Sequence, residues 1–304
     1  MQRFNSYNSF MREKFGQKIY KLSLSISNTC PNRDGSVGVG GCSFCAGGSG
    51  EFAGDCKKSV PAQIIDAKNK VSAKAGDGKY IAYFQSYTST YVPPQKLRDS
   101  INEALACPDI VGISIATRAD CLGREVMEIL KEVSQKNYLT VELGLQTVHN
   151  KTAALINRCC PLEKYIEATR KLKEIGADVV YHVILGLPQE TEQMMLETVR
   201  FAAEQKVSGI KLQLLHLLRG TPMCQMYENG EFDTLSLPKY CELLGKAIEI
   251  LPPETVVHRL TGDAPKRLLV APEWSADKKK VLNTINKYFE DNNIVQGTKV
   301  QKDT

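Results

Sequence analysis

The chain has 304 residues, of which 42% are hydrophobic and 24% charged, so it can bury a full core as one large domain or as one domain with an appendage. The net charge of +5 permits an anionic partner such as RNA without requiring one. No apolar run approaches the roughly 18 residues of a membrane-spanning helix, the first residues do not resemble a signal peptide, and ten cysteines are too few for a disulfide scaffold. We therefore expect a cytoplasmic protein with reduced thiols and no membrane partner.

Six apolar, β-branched runs predict strands, and most are continuously hydrophobic rather than alternating. They are Tyr20–Ile26, Tyr80–Phe84, Ile110–Ile115, Leu139–Leu145, Val179–Leu185 and Ile210–Leu215. Amphipathic helical patterns lie between them, at Ala62–Ala75, Gln95–Ala106, Arg124–Gln135, Tyr165–Ile175 and Thr191–Gln205. This alternation is typical of parallel β–α units, and six of them can curl into a partial barrel.

The C-terminal part of the sequence predicts fewer elements. It offers a helix near Lys239–Leu251, a short strand near Thr255–Leu260 and a final helix near Ala276–Asp291. These elements can supply a seventh strand and a closing cap, whereas residues 295–304 are polar and expected to fray. We therefore divide the chain into a core at residues 1–216, with a cysteine loop at 28–50, and an α/β extension at 217–304 that completes or caps the barrel.

Three cysteines, Cys30, Cys42 and Cys45, follow the first predicted strand and form a set that is one ligand short of a closed metal site. Thiolates select zinc or iron–sulfur clusters, and the spacing alone leaves both open. Cys56 is a possible fourth ligand of a structural zinc site, although the second Cys-x2-Cys pair of a zinc ribbon is absent. The position favours chemistry, because the carboxyl ends of parallel strands are where α/β barrels place their active sites.

Beyond the cysteines, several motifs carry a resemblance to a known family. The motifs are Cys30–Gly35 with Gly40–Cys45, Phe84–Tyr91, Gly144–Thr147, Ile156–Arg158, Gly186–Thr191 and His258–Pro265. Over nearly its whole length, from Phe4 to about Asn283, the chain resembles radical S-adenosylmethionine enzymes of the YhcC/YtqA-like family. That family is related to the Elongator catalytic subunit and to oxygen-independent coproporphyrinogen oxidase. The widened cysteine spacing departs from the Cys-x3-Cys-x2-Cys of the superfamily and is the mark of this branch.

The resemblance implies a fold, two cofactors and a radical reaction. The fold is a partial (β/α)6 TIM-like barrel, in which Cys30, Cys42 and Cys45 ligate three irons of a [4Fe–4S] cluster and S-adenosylmethionine chelates the fourth. A low-potential electron from a donor such as flavodoxin or ferredoxin cleaves S-adenosylmethionine to a 5′-deoxyadenosyl radical, which abstracts hydrogen from the substrate.

The resemblance also implies which residues bind S-adenosylmethionine. In the related oxidase family a glutamine ending the fourth strand and an arginine 12 positions later contact the cofactor, and Gln146 and Arg158 match both residue type and interval. An arginine suits a carboxylate because its planar fork donates two hydrogen bonds. The other expected cofactor contacts follow the second, third and fifth strands, and are Gln85, Ser86, Thr117, Gly186, Leu187 and Pro188.

Residues for the substrate are expected opposite the cofactor. His216 follows the sixth strand, and Arg259 and Asp263 follow the probable seventh. Cys160 could donate a hydrogen atom, although an inert buried thiol is the alternative. Glu142 is expected in mid-strand, where its side chain can face either side of the sheet.

For the substrate, the resemblance implies tRNA, with the 5-carboxymethylaminomethyl side chain of a wobble uridine remodelled towards 5-aminomethyl. Two alternatives remain open. A radical enzyme acting on a small metabolite or porphyrin-like molecule would share every motif, and a zinc-stabilised binding protein without catalysis would share the cysteines. The oligomeric state is not predicted.

Overall fold

A computed structural model describes residues 3–47, 52–75 and 78–300 of the chain. Parts of two predicted segments, residues 48–50 of the cysteine loop and residues 301–304 of the C-terminal stretch, therefore lie outside the described residues.

A parallel sheet of seven strands forms the centre of the fold, and its strands are hydrogen-bonded in the order β1-β2-β3-β4-β5-β6-β8. The strands are β1 (Ile19–Leu24), β2 (Lys79–Phe84), β3 (Ile110–Thr117), β4 (Tyr138–Gln146), β5 (Asp178–Leu185), β6 (Gly209–Leu214) and β8 (Val256–Arg259). All seven predicted strands are present, with ends shifted by at most two residues. The sheet is curled into the partial barrel that the sequence predicts.

Helices cover the outer face of the sheet. The predicted helices are confirmed within three residues as α2 (Val60–Ala75), α3 (Pro94–Leu105), α4 (Arg124–Ser134), α6 (Leu162–Glu174), α7 (Glu192–Glu204), α9 (Leu237–Ile250) and α10 (Lys278–Asp291). Their apolar faces and the outward strand residues form one large buried cluster. Several helices begin at hydroxyl caps that bond free backbone N–H groups; for example, Thr191 Oγ1 accepts from Met194 N at 3.3 Å.

Besides two 3₁₀ helices at Ala119–Cys121 and Glu273–Ala276, the described residues form three α-helices and two short strands that the sequence did not predict. They are α1 (Tyr7–Phe15), α5 (Asn150–Leu155), α8 (Pro222–Glu228), and the strands β7 (Leu217–Leu218) and β9 (Leu269–Ala271), which form a two-stranded antiparallel sheet. Together, α8, β7 and β9 belong to the segments that follow β6 and β8 at the carboxyl ends of the strands.

Strand β8 comes from the C-terminal part of the chain but pairs with β6 in the main sheet. Between β6 and β8 the register shifts by one residue, so that Ile210 pairs with Val257 and Lys211 with Arg259. On the other side of β8, the N-terminal segment forms a parallel bridge from Ser6 to Val257. The proposed boundary between residues 216 and 217 stays a prediction. Strand β8 of the C-terminal segment is part of the same sheet as the core.

Among the described residues, no helix combines the length and the apolar composition needed to cross a bilayer.

Candidate active site

A cavity of about 700 Å³ fills the interior of the curled sheet. Its walls combine residues from the strands with residues from the loops that follow their carboxyl ends. Such a position is where parallel α/β barrels bind their ligands. The predicted site residues can therefore be sorted by whether they line this cavity.

The three predicted metal ligands, Cys30, Cys42 and Cys45, all line the cavity. Thr88 Oγ1 donates to Cys30 Sγ at 3.2 Å, and Asn32 Nδ2 lies 3.5 Å from Cys42 Sγ. Burial and the neighbouring Cys45 raise the pKa of Cys42 to about 12, so a positive metal centre is needed to hold it as a thiolate. Donors aimed at sulfur are the contacts that tune iron–sulfur sites.

A site for a single metal ion is not formed in the part of the chain that the structure describes, because no three His, Cys, Asp or Glu side chains are grouped to hold one. Cys56, the fourth ligand of the zinc alternative, is not among the residues that line the cavity. A four-iron cluster instead takes each cysteine on a different iron, so its ligands need not surround one point.

The cysteine loop is fastened to the segment between α5 and α6. Asn157 Nδ2 donates to the carbonyls of Val39 at 3.2 Å and Gly41 at 2.8 Å, and Ser43 N donates to Ile156 O at 3.0 Å. Gly38 allows the loop to close, because a Cβ added there would lie 2.2 Å from Asn32 Oδ1. These contacts fix the cysteine loop relative to β4 and its C-terminal turn.

Gln146 and Arg158, the expected cofactor pair, both line the cavity. Gln146 has a φ of 65°, and its buried Oε1 has no hydrogen-bond partner among the described residues. Arg158 is 2% exposed and donates to the carbonyls of Leu145 at 2.8 Å, Thr147 at 2.5 Å and Cys160 at 2.9 Å. Arg158 thus holds the main chain around Gln146 in place, and Gln146, which lines the cavity, carries a buried amide oxygen with unused bonding capacity.

The remaining expected cofactor contacts divide into two groups. Gln85 and Thr117 line the cavity. Gln85 Oε1 accepts from Ser23 at 3.0 Å, and the Thr117 hydroxyl lies 2.5 Å from that of Thr90. The others are not among the lining residues. Ser86 is buried, and Leu187, between Gly186 and Pro188, is buried in a second, smaller apolar cluster. The other buried members of that cluster are Ile156, Ile184, Leu215, Leu217, Met223 and Ala271.

On the expected substrate side, His216, Arg259 and Asp263 line the cavity, whereas Cys160 does not. Burial lowers the pKa of His216 to about 4, so its imidazole is neutral at pH 7. Burial opposes ionisation of Asp263, but Arg259 at 3.4 Å and Lys278 at 2.5 Å keep the pKa of its carboxyl below the usual value. Burial raises the pKa of the Cys160 thiol.

A buried polar network around Glu142 is the main feature that the sequence analysis missed. Glu142 is 0% exposed and accepts five hydrogen bonds. The donors are Lys21 Nζ at 2.5 Å, Tyr83 OH at 2.7 Å, Ser114 Oγ at 2.9 Å, His182 Nε2 at 2.7 Å, and Lys211 Nζ. The sequence does contain a sign of this network, because a charged or polar residue interrupts several otherwise apolar strands. These residues are Lys21, Glu142, His182 and Lys211.

The charges of this network depend on one another. Burial disfavours the Glu142 carboxylate, but Lys21 and Lys211 outweigh it and hold the pKa of Glu142 well below the usual value. Burial lowers the pKa of Lys211 to about 7, and Lys21 and Arg259 act in the same direction. Burial and Lys211 lower the pKa of His182 to about 4, which leaves it neutral with its Nε2–H directed at Glu142.

Two family models match the chain and together span most of it. The Radical SAM superfamily model matches residues 24–202, and the Radical_SAM C-terminal domain model matches residues 207–291.

Individual relatives and a solved structure agree with these models. YtqA of Bacillus subtilis is 48% identical over 302 residues, covering 99% of this chain and 94% of that protein. A tRNA uridine(34) acetyltransferase of Methanocaldococcus jannaschii is 27% identical over 188 residues, covering 60% of this chain and 34% of that protein. The structure of Elp3 from Methanocaldococcus infernus superposes with a TM-score of 0.68 at 18% identity, covering 91% of this chain and 64% of that one.

Proposed function

Because the chain belongs to the Radical SAM superfamily, we propose that it is an enzyme that binds a [4Fe–4S] cluster through Cys30, Cys42 and Cys45 and S-adenosylmethionine in the adjoining cavity. The observation that carries this proposal is that the three cysteines and Gln146, with its unpartnered amide oxygen, line one cavity. With Cys30, Cys42 and Cys45 as its ligands, the cluster would supply the low-potential electron for reductive cleavage of S-adenosylmethionine, the chemistry by which this superfamily removes hydrogen from a substrate.

The residues of the chain prepare the site for this chemistry. Thr88 and Asn32 donate towards Cys30 and Cys42, which stabilises negative charge on sulfur. Gln146 offers its amide to the polar groups of S-adenosylmethionine, in a main-chain turn that Arg158 fixes. The cavity lies inside the curled sheet and is partly open, so the strands and loops that line it would shield a bound cofactor from water on the protein side.

Anaerobic reconstitution tests the proposal. We expect a brown protein with about four irons per chain that releases 5′-deoxyadenosine from S-adenosylmethionine on reduction. Replacing all three cysteines by serine should abolish both signals, whereas Cys107→Ser, outside the cavity, should leave both unchanged. A colourless protein that binds one zinc per chain and does not cleave S-adenosylmethionine would contradict the proposal.

We further propose that the substrate is tRNA in the cytoplasm, and that the enzyme converts a 5-carboxymethylaminomethyl side chain of the wobble uridine towards 5-aminomethyl, with flavodoxin or ferredoxin as electron donor. Two observations support a tRNA substrate: one relative is a tRNA uridine(34) acetyltransferase, and the net charge of +5 suits a polyanion.

The substrate can be tested by comparing modified nucleosides of tRNA from cells with and without this chain. We expect cells that lack it to accumulate the 5-carboxymethylaminomethyl nucleoside at the expense of 5-aminomethyl derivatives. An unchanged wobble-uridine profile, together with S-adenosylmethionine cleavage by the purified protein, would assign the enzyme to a metabolite substrate instead. Retention of tRNA that weakens with salt would support the nucleic-acid assignment.

A further inference from the structure

Two cationic residues lie side by side on the last two strands of the sheet and face the cavity. Lys211 on β6 and Arg259 on β8 are register partners, and both line the cavity. They meet because the register shifts between Ile210 and Lys211, so that His258 is skipped. Such shifts re-aim side chains at functional sites. Without it, His258 rather than Arg259 would lie opposite Lys211.

The charges at this place do not balance. Lys21 and Lys211 share the carboxylate of Glu142, while Arg259 and Lys278 share that of Asp263. Four cationic side chains therefore form ion pairs with only two carboxylates. An additional anion would complete the balance. The cost of unpaired charge falls mainly on Lys21 and Lys211, because Arg259 and Lys278 are 32% and 45% exposed.

Lys211 and Arg259 also have hydrogen-bond donors to spare. Within the described residues Lys211 donates to Glu142 Oε2 and lies 3.1 Å from Tyr83 OH, which accounts for two of the three protons of its ammonium. Arg259 approaches Asp263 only at 3.4 Å, and its guanidinium has five N–H donors. Lys211 is 5% exposed and lines the cavity, so a ligand bound there is a partner within reach of its remaining proton. Burial, with Lys21 and Arg259, lowers the pKa of Lys211 to about 7, although the adjacent Glu142 carboxylate raises it.

We propose that Lys211 and Arg259 bind the carboxylate of the substrate, which positions the adjoining carbon chain in the cavity that the cysteines also line. This inference rests on the proposed function, whose substrate side chain ends in a carboxylate. The reaction proposed above takes place on a side chain that ends in a carboxylate, so this is the anionic group of the substrate that must enter the cavity lined by Lys211 and Arg259.

Binding of free nucleosides to the reconstituted enzyme, with S-adenosylmethionine present and reductant absent, tests the inference. The probes are 5-carboxymethylaminomethyluridine, 5-aminomethyluridine and uridine 5′-monophosphate. We expect the wild type to bind the carboxylate-bearing nucleoside at least tenfold more tightly than 5-aminomethyluridine, and Lys211→Met and Arg259→Met each to reduce this ratio to less than threefold. Lys239→Met, which removes an exposed lysine paired with Glu192 and Glu242, should retain the full ratio.

We expect Lys211→Met to fold, because Glu142 keeps Lys21 and three uncharged hydrogen-bond donors. Thermal unfolding of the variant serves as the control for any loss of stability. An equal affinity of the wild type for both nucleosides, or a ratio unchanged in both variants, would overturn the inference, as would tightest binding of uridine 5′-monophosphate. Formation of 5′-deoxyadenosine is measured separately: its absence contradicts the proposed function, while carboxylate discrimination that depends on Lys211 would still support the inference.

Discussion

Glu142 is a carboxylate surrounded by five donors, two of them ammonium groups. A buried ion pair contributes little net stability over an apolar pair, but removal of one member leaves uncompensated charge. The network is therefore sensitive to the loss of its centre, and more tolerant of the loss of one donor.

We expect Glu142→Ala to lower the free energy of unfolding by about 3–5 kcal/mol, because Lys21 and Lys211 then lose their shared counter-ion. Glu132→Ala, which breaks an exposed ion pair with Arg98, should cost about 1 kcal/mol or less. Urea unfolding of the three proteins at pH 7 checks both values. A cost for Glu142→Ala no larger than that for Glu132→Ala would contradict the role assigned to the network.

The same carboxylate predicts a dependence of stability on pH. The pKa of Glu142 in the folded protein lies well below its unfolded value, so its contribution is complete above roughly pH 4.3 and is lost as the pH falls through the folded pKa. The difference in unfolding free energy between wild type and Glu142→Ala should thus shrink on acidification below pH 4.3. A difference that grows there would show that the folded carboxyl binds protons more tightly than the unfolded one.

A substitution at Gln146 should affect cofactor binding more than it affects the stability of the fold. Its amide oxygen has no partner among the described residues, so Gln146→Leu should change the unfolding free energy by about 1 kcal/mol or less. If the amide contacts S-adenosylmethionine, the affinity for that cofactor should fall about tenfold, which corresponds to roughly 1.4 kcal/mol. Calorimetric titration of the reconstituted protein measures the affinity, and an unchanged value would remove Gln146 from the cofactor site.

At the scale of elements, the loop between β1 and α2 depends on close contacts rather than on regular structure. Asn32 and Asn157 each bond the opposite segment, and Gly38 permits the approach of the Asn32 side chain. Displacement of this loop would move the cysteines without unfolding the barrel.

We expect Gly38→Ala to reduce the iron bound after anaerobic reconstitution to less than half, because the new Cβ would lie 2.2 Å from Asn32 Oδ1. Gly123→Ala is the matched control, since its added Cβ meets nothing within 4 Å and its φ of −64° suits alanine. Iron per chain and the circular dichroism spectrum check the outcome. Normal iron content in Gly38→Ala would mean that the loop tolerates displacement.

The elements differ in how far the sequence predicts them. Long strands and helices are predictable because their apolar periodicity extends over several turns or residue pairs. Helix α1 also had readable signals, since Ser6 caps it and Gly16 ends it with a φ of 71°, but its polar sequence hides the apolar face. The short elements α5, α8, β7 and β9 depend on tertiary contacts that local patterns do not encode.

Site residues likewise divide into those that a local sequence motif predicts and those that depend on the tertiary structure. The loop cysteines, Gln146 and Arg158 stand in motifs, whereas Lys21 and Lys211 are single charges inside strand runs. Whether such a charge faces the cavity depends on the curl of the sheet and on register, including the shift that aligns Lys211 with Arg259. The sequence therefore predicts that Glu142 lies in mid-strand but does not predict which face of the sheet its side chain occupies.

At the scale of the whole molecule, the two ends of the chain meet beside β8. Gln296 is 8% exposed; its Oε1 accepts from Asn5 N at 2.7 Å, and its Nε2 donates to the carbonyls of Pro252 at 2.6 Å and Thr255 at 2.8 Å. Phe4 packs edge-on against Phe289 of α10 at 6.1 Å. These contacts hold the outer edge of β8 and therefore the strand that carries Arg259.

Gln296→Ala should lower the free energy of unfolding by roughly 2 kcal/mol or more, because one buried N–H and two carbonyls lose their partner. Gln193→Ala, which removes an exposed contact with Glu197, should change it by about 0.5 kcal/mol or less. Denaturant unfolding of both variants provides the comparison. Equal effects would show that the meeting of the chain ends adds little to stability.

The order of strands in the sheet also bears on how the protein is made. Each strand from β2 to β6 pairs with the strand before it, so these contacts can form progressively as the chain leaves the ribosome. The contact between Asn5 and Gln296 joins positions 291 residues apart, so it must wait until Gln296 has been synthesised. The cysteine side of the cavity can therefore be assembled early in translation, while the wall that bears Arg259 is secured last.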